Sequence, residues 1–86
     1  TLLYYFNKNV EIDFCVPSAQ LAIQVSYNLN DEATYEREVG GLIKFLKAFP
    51  GYHGYIITRD YQTQIMADGY TIEVVPIWKW LLQDNN

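Results

Sequence analysis

The sequence predicts a mixed α/β (α+β) fold, in which one long helix connects strands of a single sheet. Three features lead to this prediction: alternation of apolar and polar residues over 10–29, a helical stripe of apolar residues over 31–49, and an Asp-Gly dipeptide at 68–69 between two strand-like segments. Alternation at period two is typical of strands, recurrence near 3.6 residues is typical of helices, and Asp-Gly is typical of tight hairpin turns.

Length and composition indicate one small globular domain that spans residues 1–86. A chain of 86 residues can bury one core, and half of its residues are hydrophobic. No apolar run approaches the roughly 20 residues of a membrane-spanning helix, and no signal peptide is recognisable, so we expect no membrane association. Because the chain opens on Thr1 without an initiator Met, we expect a fragment of a longer protein.

Charge and cysteine content restrict the partners and the compartment. The formal net charge is −4 at pH 7, and the Lys and Arg residues are scattered. Nucleic-acid-binding domains usually carry a basic face, so we expect any nucleic acid to be bound chiefly by other regions of the parent protein. The single cysteine, Cys15, cannot form an internal disulfide, which favours a reducing, cytoplasmic compartment.

A β-hairpin over residues 10–29 is the predicted centre of the fold, preceded by a strand over residues 2–6 and a turn over residues 7–9. A four-residue loop pairs Val16 with Leu21 across this hairpin. We expect the apolar side of both strands to pack against the long helix. That side consists of Val10, Ile12, Phe14, Val16, Leu21, Ile23, Val25, Tyr27 and Leu29.

The same register gathers polar side chains on the other side of the hairpin. It places Asp13 opposite Gln24, and Glu11 opposite Ser26. Because a slip by one residue would turn this polar set into the core, the register should be firmly held. Two carboxylates and an amide on an otherwise apolar hairpin indicate a functional site, or the remains of one.

A helix is predicted from Asn30, the expected N-cap, to the residue before Pro50. Its apolar stripe consists of Tyr35, Val39, Leu42, Ile43, Phe45, Leu46 and Phe49. The pair Gly40-Gly41 is unusual in the middle of a helix, where each Gly costs roughly 1 kcal/mol relative to Ala. We interpret this pair as a close approach of the helix backbone to the sheet.

The rest of the chain predicts a fourth strand, a hairpin and a short terminal helix. The fourth strand covers residues 53–60, and its continuous apolar centre is typical of an interior position. A strand–helix–strand succession is typical of a right-handed crossover between parallel strands. The hairpin strands, residues 64–67 and 70–75, flank the Asp-Gly turn, and residues 77–82 form the terminal helix.

Several motifs taken together resemble a known domain. They are Leu3-Tyr4-Tyr5-Phe6, Glu11-Ile12-Asp13-Phe14, Ile23-Gln24-Val25-Ser26-Tyr27, Tyr35-Glu36-Arg37-Glu38 and Val75-Pro76-Ile77-Trp78-Lys79-Trp80-Leu81-Leu82. In these segments the chain resembles the C-terminal domain of bacterial and archaeal AAA-type P-loop ATPases, a region of unassigned function. That domain in turn resembles the core of the PD-(D/E)XK nuclease superfamily. The resemblance therefore implies one restriction-endonuclease-like domain, with an antiparallel three-strand meander, a crossover helix, a fourth strand, a hairpin and a short C-terminal helix.

The resemblance also implies a degenerate active site on the hairpin. Asp13 takes the position of the metal-binding aspartate, Gln24 that of the second acidic residue and Ser26 that of the lysine. Metal-assisted phosphodiester cleavage needs carboxylates that hold a hard divalent ion and a cation that stabilises the developing charge. Gln24 offers only a neutral carbonyl, and Ser26 has no charge. Glu11 is the remaining carboxylate that could join Asp13 in a metal site, so Mg²⁺ is expected only if this site is active.

Two functions follow from this resemblance. In the first, the chain is a non-catalytic accessory or interaction domain of an AAA-type ATPase. It contacts the ATPase domain N-terminal to it and positions the ATPase on a partner, for which nucleic acid bound chiefly by other regions is one candidate. In the second, the chain is a metal-dependent nuclease with a modified site at Glu11, Asp13 and Gln24. The missing cation and the weakened ligand set favour the first function. The chain has no glycine-rich phosphate loop, so we expect no cofactor to bind to this fragment. The resemblance implies that ATP binds to another part of the parent protein.

Two further pairs of residues allow other interpretations. Cys15 and His53 could form a nucleophile pair, but no third orienting residue and no local signature accompany them. Trp78 and Trp80 are interpreted either as a docking patch for a partner or as residues that cap the core. The sequence leaves the substrate, the partner and the oligomeric state open.

Overall fold

The computed structural model describes residues 3–7 and 10–84. Within these ranges, six strands form one mixed sheet and two helices pack against it. The elements are β1 (Leu3–Asn7), β2 (Val10–Val16), β3 (Leu21–Val25), α1 (Glu32–Ala48), β4 (His53–Thr58), β5 (Thr63–Ala67), β6 (Tyr70–Pro76) and α2 (Ile77–Asp84). The predicted α/β (α+β) class is confirmed. Neither of these helices is long and apolar enough to cross a membrane.

The strand order across the sheet is β1-β2-β3-β4-β6-β5. The first three strands pair antiparallel, as predicted for a meander, and β4 lies parallel to both β3 and β6. The chain therefore crosses over through α1 and returns to the same sheet, and β4 has the interior position that its apolar centre predicts. The predicted turn at residues 7–9 includes Lys8 and Asn9, which lie outside the described residues.

The register of the β2–β3 hairpin is the predicted one. Val16 pairs with Leu21 across a four-residue loop. However, β3 ends at Val25, four residues before the predicted end of the strand. The reason is a turn after β3, in which the N–H of Asn30 donates to Asn28 Oδ1 at 2.7 Å, since an Asn side chain that bonds the backbone two residues on favours a turn over a strand.

The prediction that one face of the hairpin carries all of its apolar residues into the core is wrong, because a β-bulge interrupts the alternation in β2. Leu3 pairs with Cys15 and Tyr5 pairs with Ile12, so three residue steps of β2 face two steps of β1. Ile12 and Cys15 consequently lie in the same core. Phe14 lies outside that core and is 39% exposed.

The two faces of the sheet are covered unequally. The core under α1 consists of Ile12, Cys15, Ala22, Val39, Leu42, Ile43, Phe45, Leu46, Ile56, Ile65, Ile72 and Val74. On the opposite face, a smaller cluster of Ile23, Ile57 and Val75 packs against Trp80 of α2. The long helix therefore packs on the side of β3 that carries Ala22, and the prediction that it packs on the side of Ile23 is wrong.

Small residues explain why α1 packs on this face. Ala22 of β3 pairs with Gly54 of β4, and a Cβ at Gly54 would lie only 3.1 Å from Leu46 and 3.2 Å from Leu42. This small pair leaves room for the leucine side chains of α1. At Gly40, by contrast, an added Cβ would meet no described atom within 4 Å, so the interpretation that this glycine marks close packing is wrong.

The N-terminus of α1 begins one residue later than predicted. The N-cap is Asp31 and not Asn30, because Thr34 donates to Asp31 Oδ2 from its N–H at 2.9 Å and from its hydroxyl at 2.8 Å. These hydrogen bonds lower the pKa of the Asp31 carboxyl. The two ends of the predicted apolar stripe, Tyr35 and Phe49, are 37% and 36% exposed, so the buried stripe is shorter than predicted.

The turn between β5 and β6 is the predicted Asp-Gly hairpin turn. Asp68 and Gly69 have φ angles of 53° and 82°, the positive values that a two-residue type I′ turn requires. Lys47 Nζ lies 2.9 Å from Asp68 Oδ2, so an exposed ion pair connects the last turn of α1 to this hairpin.

We expect Gly40→Ala to stabilise the domain by about 0.5–1 kcal/mol, because it adds helix propensity without a steric conflict. Gly54→Ala is the control and should destabilise the domain, since its Cβ would press on two leucine side chains. Unfolding in urea measures both changes. A loss of stability in Gly40→Ala would contradict the packing of α1 described above.

Candidate functional site

The backbone pairing of β2 and β3 ends at Phe14 and Ile23, one pair before Asp13 and Gln24. From there on, hydrogen bonds made by side chains connect the two strands. The N–H of Asp13 donates to Gln24 Oε1 at 2.9 Å, and Gln24 Nε2 donates to the carbonyl of Glu11 at 3.1 Å. In return, the N–H of Val25 donates to Asp13 Oδ2 at 2.8 Å. These three hydrogen bonds form a side-chain clasp, in which a side chain of each strand holds the backbone of the other.

Gln24 is the buried centre of this clasp. It is 4% exposed, and both ends of its amide bond to the backbone of β2. A buried polar group left without a partner costs roughly 1–3 kcal/mol, so these bonds are needed for Gln24 to occupy this position. Helix α1 passes close by, since a Cβ at Gly41 would lie 3.4 Å from Gln24 Nε2 and 3.6 Å from the Glu11 carbonyl oxygen. For Gly41, the predicted close approach of the helix to the sheet is confirmed.

A cavity of about 170 Å³ lies beside the clasp, between the hairpin and α1. It is lined by Glu11, Asp13, Gln24, Arg37, Glu38 and Gly41. Three of the residues predicted from the hairpin therefore meet in one place. Helix α1 adds a third carboxylate, from Glu38, and a cation, from Arg37, and the alternation of the hairpin gives no sign of either.

One signal in the sequence does point to Glu38. It stands three residues before Gly41, and residues three apart lie on the same side of a helix. A glycine that marks close contact with the sheet therefore also indicates that Glu38 faces the sheet, one turn earlier in α1.

Ser26 lies apart from this cavity, although the resemblance assigns it the lysine position. It follows the last residue of β3 and is 6% exposed. Its N–H donates to the carbonyl of Ile57 at 2.9 Å, and its hydroxyl donates to the carbonyl of Asn28 at 3.4 Å. The predicted pair of Glu11 and Ser26 thus falls beyond the end of β3, and only Glu11 of that pair lines the cavity.

Glu38 holds its negative charge in an unfavourable position. Its side chain is 14% exposed, and its Oε2 has no hydrogen-bond partner in the described part of the chain. Burial, followed by the negative charge of Asp13, raises the pKa of this carboxyl, and Glu11 adds a smaller effect in the same direction. Arg37 opposes the increase, with its Nε 3.4 Å from Glu38 Oε1.

The ligand set does not fit Mg²⁺ in the manner that the resemblance implies. Mg²⁺ is held mainly by charged carboxylates, whereas Gln24 offers only a neutral, buried oxygen that accepts the N–H of Asp13, and the Asp13 carboxylate is oriented by the N–H of Val25. Among the described residues, no group of three or more His, Cys, Asp or Glu side chains is arranged to hold a metal ion. Glu11 and Asp13, the expected metal ligands, share the cavity, but Asp13 serves the clasp there.

The geometry does not support a Cys–His nucleophile pair. Cys15 is 5% exposed and belongs to the core under α1, whereas His53 is exposed at the start of β4. Burial raises the pKa of the Cys15 thiol. A raised pKa disfavours the thiolate, which is the nucleophilic form.

We expect Glu38→Gln to change how the stability of the domain depends on pH. Because the pKa of Glu38 is higher in the folded than in the unfolded state, the folded protein binds more protons, and stability falls as pH rises above the ordinary glutamate pKa. The variant lacks this fall, so its stability relative to the original should be greater at pH 7 than at pH 4. Urea unfolding at both pH values measures the difference.

The control for this prediction is Glu36→Gln, which removes the same charge from an exposed position of α1. It should shift stability much less between the two pH values. An identical change at pH 4 and pH 7 in Glu38→Gln would show that the carboxyl of Glu38 titrates normally in the fold.

Similarity to known proteins adds no assignment to this cavity. The chain matches no protein-family model, no curated protein and no solved structure.

Proposed function

We propose that the chain is a non-catalytic accessory or interaction domain of an AAA-type ATPase, in which a nuclease-type hairpin has become a structural element. The side-chain clasp is the observation that supports this proposal most. Gln24 and Asp13, which take two positions of the nuclease site in the resemblance, hold the backbones of β2 and β3. Both side chains therefore have a structural role in the hairpin, and the neutral Gln24 oxygen carries no charge with which to hold a metal ion.

The charges beside the clasp support the same proposal. A hydrolytic site needs a cation that stabilises the negative charge of the transition state. Ser26 supplies no charge, and the Arg37 side chain is 69% exposed and lies beside the carboxylate of Glu38. The positive charge of Arg37 therefore offsets a poorly solvated carboxylate of the fold itself.

In this proposal the domain acts through its surface: it contacts the ATPase domain of the parent chain and positions the ATPase on a further partner. Large apolar side chains that are exposed include Phe14, Val25, Tyr27, Tyr61, Met66, Ile77, Trp78, Leu81 and Leu82. Three of them, Val25, Tyr27 and Ile77, line one groove, and exposed apolar side chains that lie together are typical of interaction sites. With a net charge of −4, the domain leaves contact with nucleic acid to other regions of the parent. The restriction-endonuclease-like kinship and a cytoplasmic location belong to the same proposal.

A metal-dependent nuclease is the second candidate, and one observation favours it. The cavity is lined by three acidic residues, Glu11, Asp13 and Glu38, together with Arg37. If the carboxylate of Asp13 turned away from Val25, these side chains could approach a divalent ion and a scissile phosphate. This arrangement would break the clasp, and for that reason we rank it second.

We expect Asp13→Ala to destabilise the domain by about 0.5–1.5 kcal/mol, because it removes the acceptor of the Val25 N–H, an exposed hydrogen bond that water can partly replace. Asp13→Asn should stay within about 0.5 kcal/mol of the original, since its amide oxygen can accept the same bond and it removes a negative charge near Glu38. Urea unfolding of both variants at pH 7 measures the two effects.

The same variants separate the two candidate functions. A nuclease should lose most of its metal-dependent cleavage in both, because a neutral amide oxygen holds a hard divalent ion much more weakly than a carboxylate does. The assay incubates the full-length protein with Mg²⁺ or Mn²⁺ and either plasmid or single-stranded DNA. Cleavage that disappears in Asp13→Asn while the fold stays intact would overturn the non-catalytic proposal.

A further inference from the structure

An apolar groove lies at the carboxyl ends of the parallel strands β3 and β4, where the chain enters α2. It has a volume of about 290 Å³ and is lined by Val25, Ser26, Tyr27, Ile57, Thr58, Arg59 and Ile77. Ile57 is 5% exposed, whereas Val25 and Ile77 are 48% and 43% exposed. Pockets for small molecules measure roughly 300–1,000 Å³, so this groove suits one or two large side chains of a partner.

A cation stands at the edge of this groove. The guanidinium carbon of Arg59 lies 5.2 Å from the centre of the Tyr27 ring, and Tyr27 is 71% exposed. No carboxylate lies within ion-pair distance of Arg59 in the part of the chain that the structure describes. Because contact with the ring orients the planar guanidinium, its N–H groups can bond a carboxylate with little further ordering.

We propose that this groove docks an acidic segment of a partner protein, which places one large apolar side chain between Val25 and Ile77 and pairs a carboxylate with Arg59. This inference rests on the proposed function, since it names the surface by which an interaction domain holds its partner. The charge of Arg59 argues for an acidic occupant, and the apolar walls argue for a Leu or Phe anchor next to the carboxylate.

Exposed apolar side chains also follow Ile77 along α2, and Leu81 stands one helical turn after it. On α2, Trp78 is 57% exposed, Leu81 is 55% exposed and Leu82 is 61% exposed, and α2 begins at Ile77 in the groove wall. A partner that fills the groove can extend along this helix. The sequence predicts either docking or capping of the core for the two tryptophans. Docking suits the exposed Trp78, whereas Trp80 packs on Tyr55, with their ring centres 5.2 Å apart.

The test is a titration of the ¹⁵N-labelled chain with three capped peptides, followed by NMR at 0.15 M salt, where only nearby charges act strongly. The peptides are ELFDE, which has both the anchor and the charge, QLFNQ, which has only the anchor, and EAADE, which has only the charge. We expect ELFDE to shift the amide signals of Val25, Ile57, Arg59 and Ile77. It should bind about two- to fivefold more tightly than QLFNQ, the range of an exposed ion pair, and EAADE should not bind measurably.

Two variants make the test specific. Arg59→Gln should remove the preference for ELFDE over QLFNQ and leave the binding of QLFNQ unchanged. Val25→Glu should weaken the binding of ELFDE at least about tenfold, because it places a like charge on the groove wall. The matched control is Met66→Glu, which adds the same charge on β5 at a residue that is 79% exposed and outside the groove, and it should bind ELFDE normally.

Several outcomes would overturn this inference. They are equal binding of ELFDE and QLFNQ to the original chain, signal shifts confined to residues outside the groove, or equal weakening by Val25→Glu and Met66→Glu. A ten-residue oligothymidine that shifts Tyr27 and Arg59 when ELFDE does not would assign the surface to nucleic acid instead. If ELFDE fails to bind and the full-length protein cleaves no DNA, the docking inference is rejected and the proposed function is not. If the protein does cleave DNA and Asp13→Asn abolishes the cleavage, the proposed function is rejected, and the peptide titration still tests the groove.

Discussion

The hydrogen bonds of the Gln24 amide are the interaction on which the rest of this structure depends. The amide lies at the point where β2 and β3 separate, and it supplies both an acceptor and a donor to the backbone of β2. A hydrocarbon side chain of the same size would leave the N–H of Asp13 and the carbonyl of Glu11 without these partners beneath the helix. A carboxylate could accept from Asp13, but it could not donate to Glu11, and it would add a further negative charge beside Glu38. A neutral amide is therefore the side chain that suits this position, and the same neutrality makes it a poor metal ligand.

The bulge in β2 determines how the hairpin is shared between the two faces of the sheet. It lets Ile12 and Cys15 both enter the core under α1, and it leaves Phe14 exposed. With the long helix on the face of Ala22, the opposite face is left to α2, which has only eight residues and packs on β4 and β6. The apolar side chains near the end of β3 therefore have little cover from described residues, and this is why a groove forms there.

Much of this fold follows from local signals in the sequence, because the physics that decides those signals is local. The loop before Leu21 and the dipeptide Asp68-Gly69 determine the register of their hairpins through turn geometry, and both registers are as predicted. The bulge could not be predicted, since the alternation through β2 is unbroken in the sequence and the extra residue depends on the pairing with β1. The alternation predicts the helix on the face of the larger apolar set, but the small residues Ala22 and Gly54 leave room for it on the other face. Glu38 is indicated only indirectly, by its spacing from Gly41, because its position against the hairpin depends on how α1 packs.

Val25 belongs both to the clasp and to the groove. Its N–H donates to Asp13 Oδ2 within the clasp, and its side chain forms a wall of the groove. The next residue, Ser26, donates its N–H to Ile57, which also lines the groove. The end of β3 is thus held on one side by Asp13 of β2 and on the other by β4. A surface built on the last residue of a strand needs that strand end fixed, and the hydrogen bond from Val25 to the Asp13 carboxylate fixes it. The clasp therefore supports the groove, because the same backbone segment belongs to both.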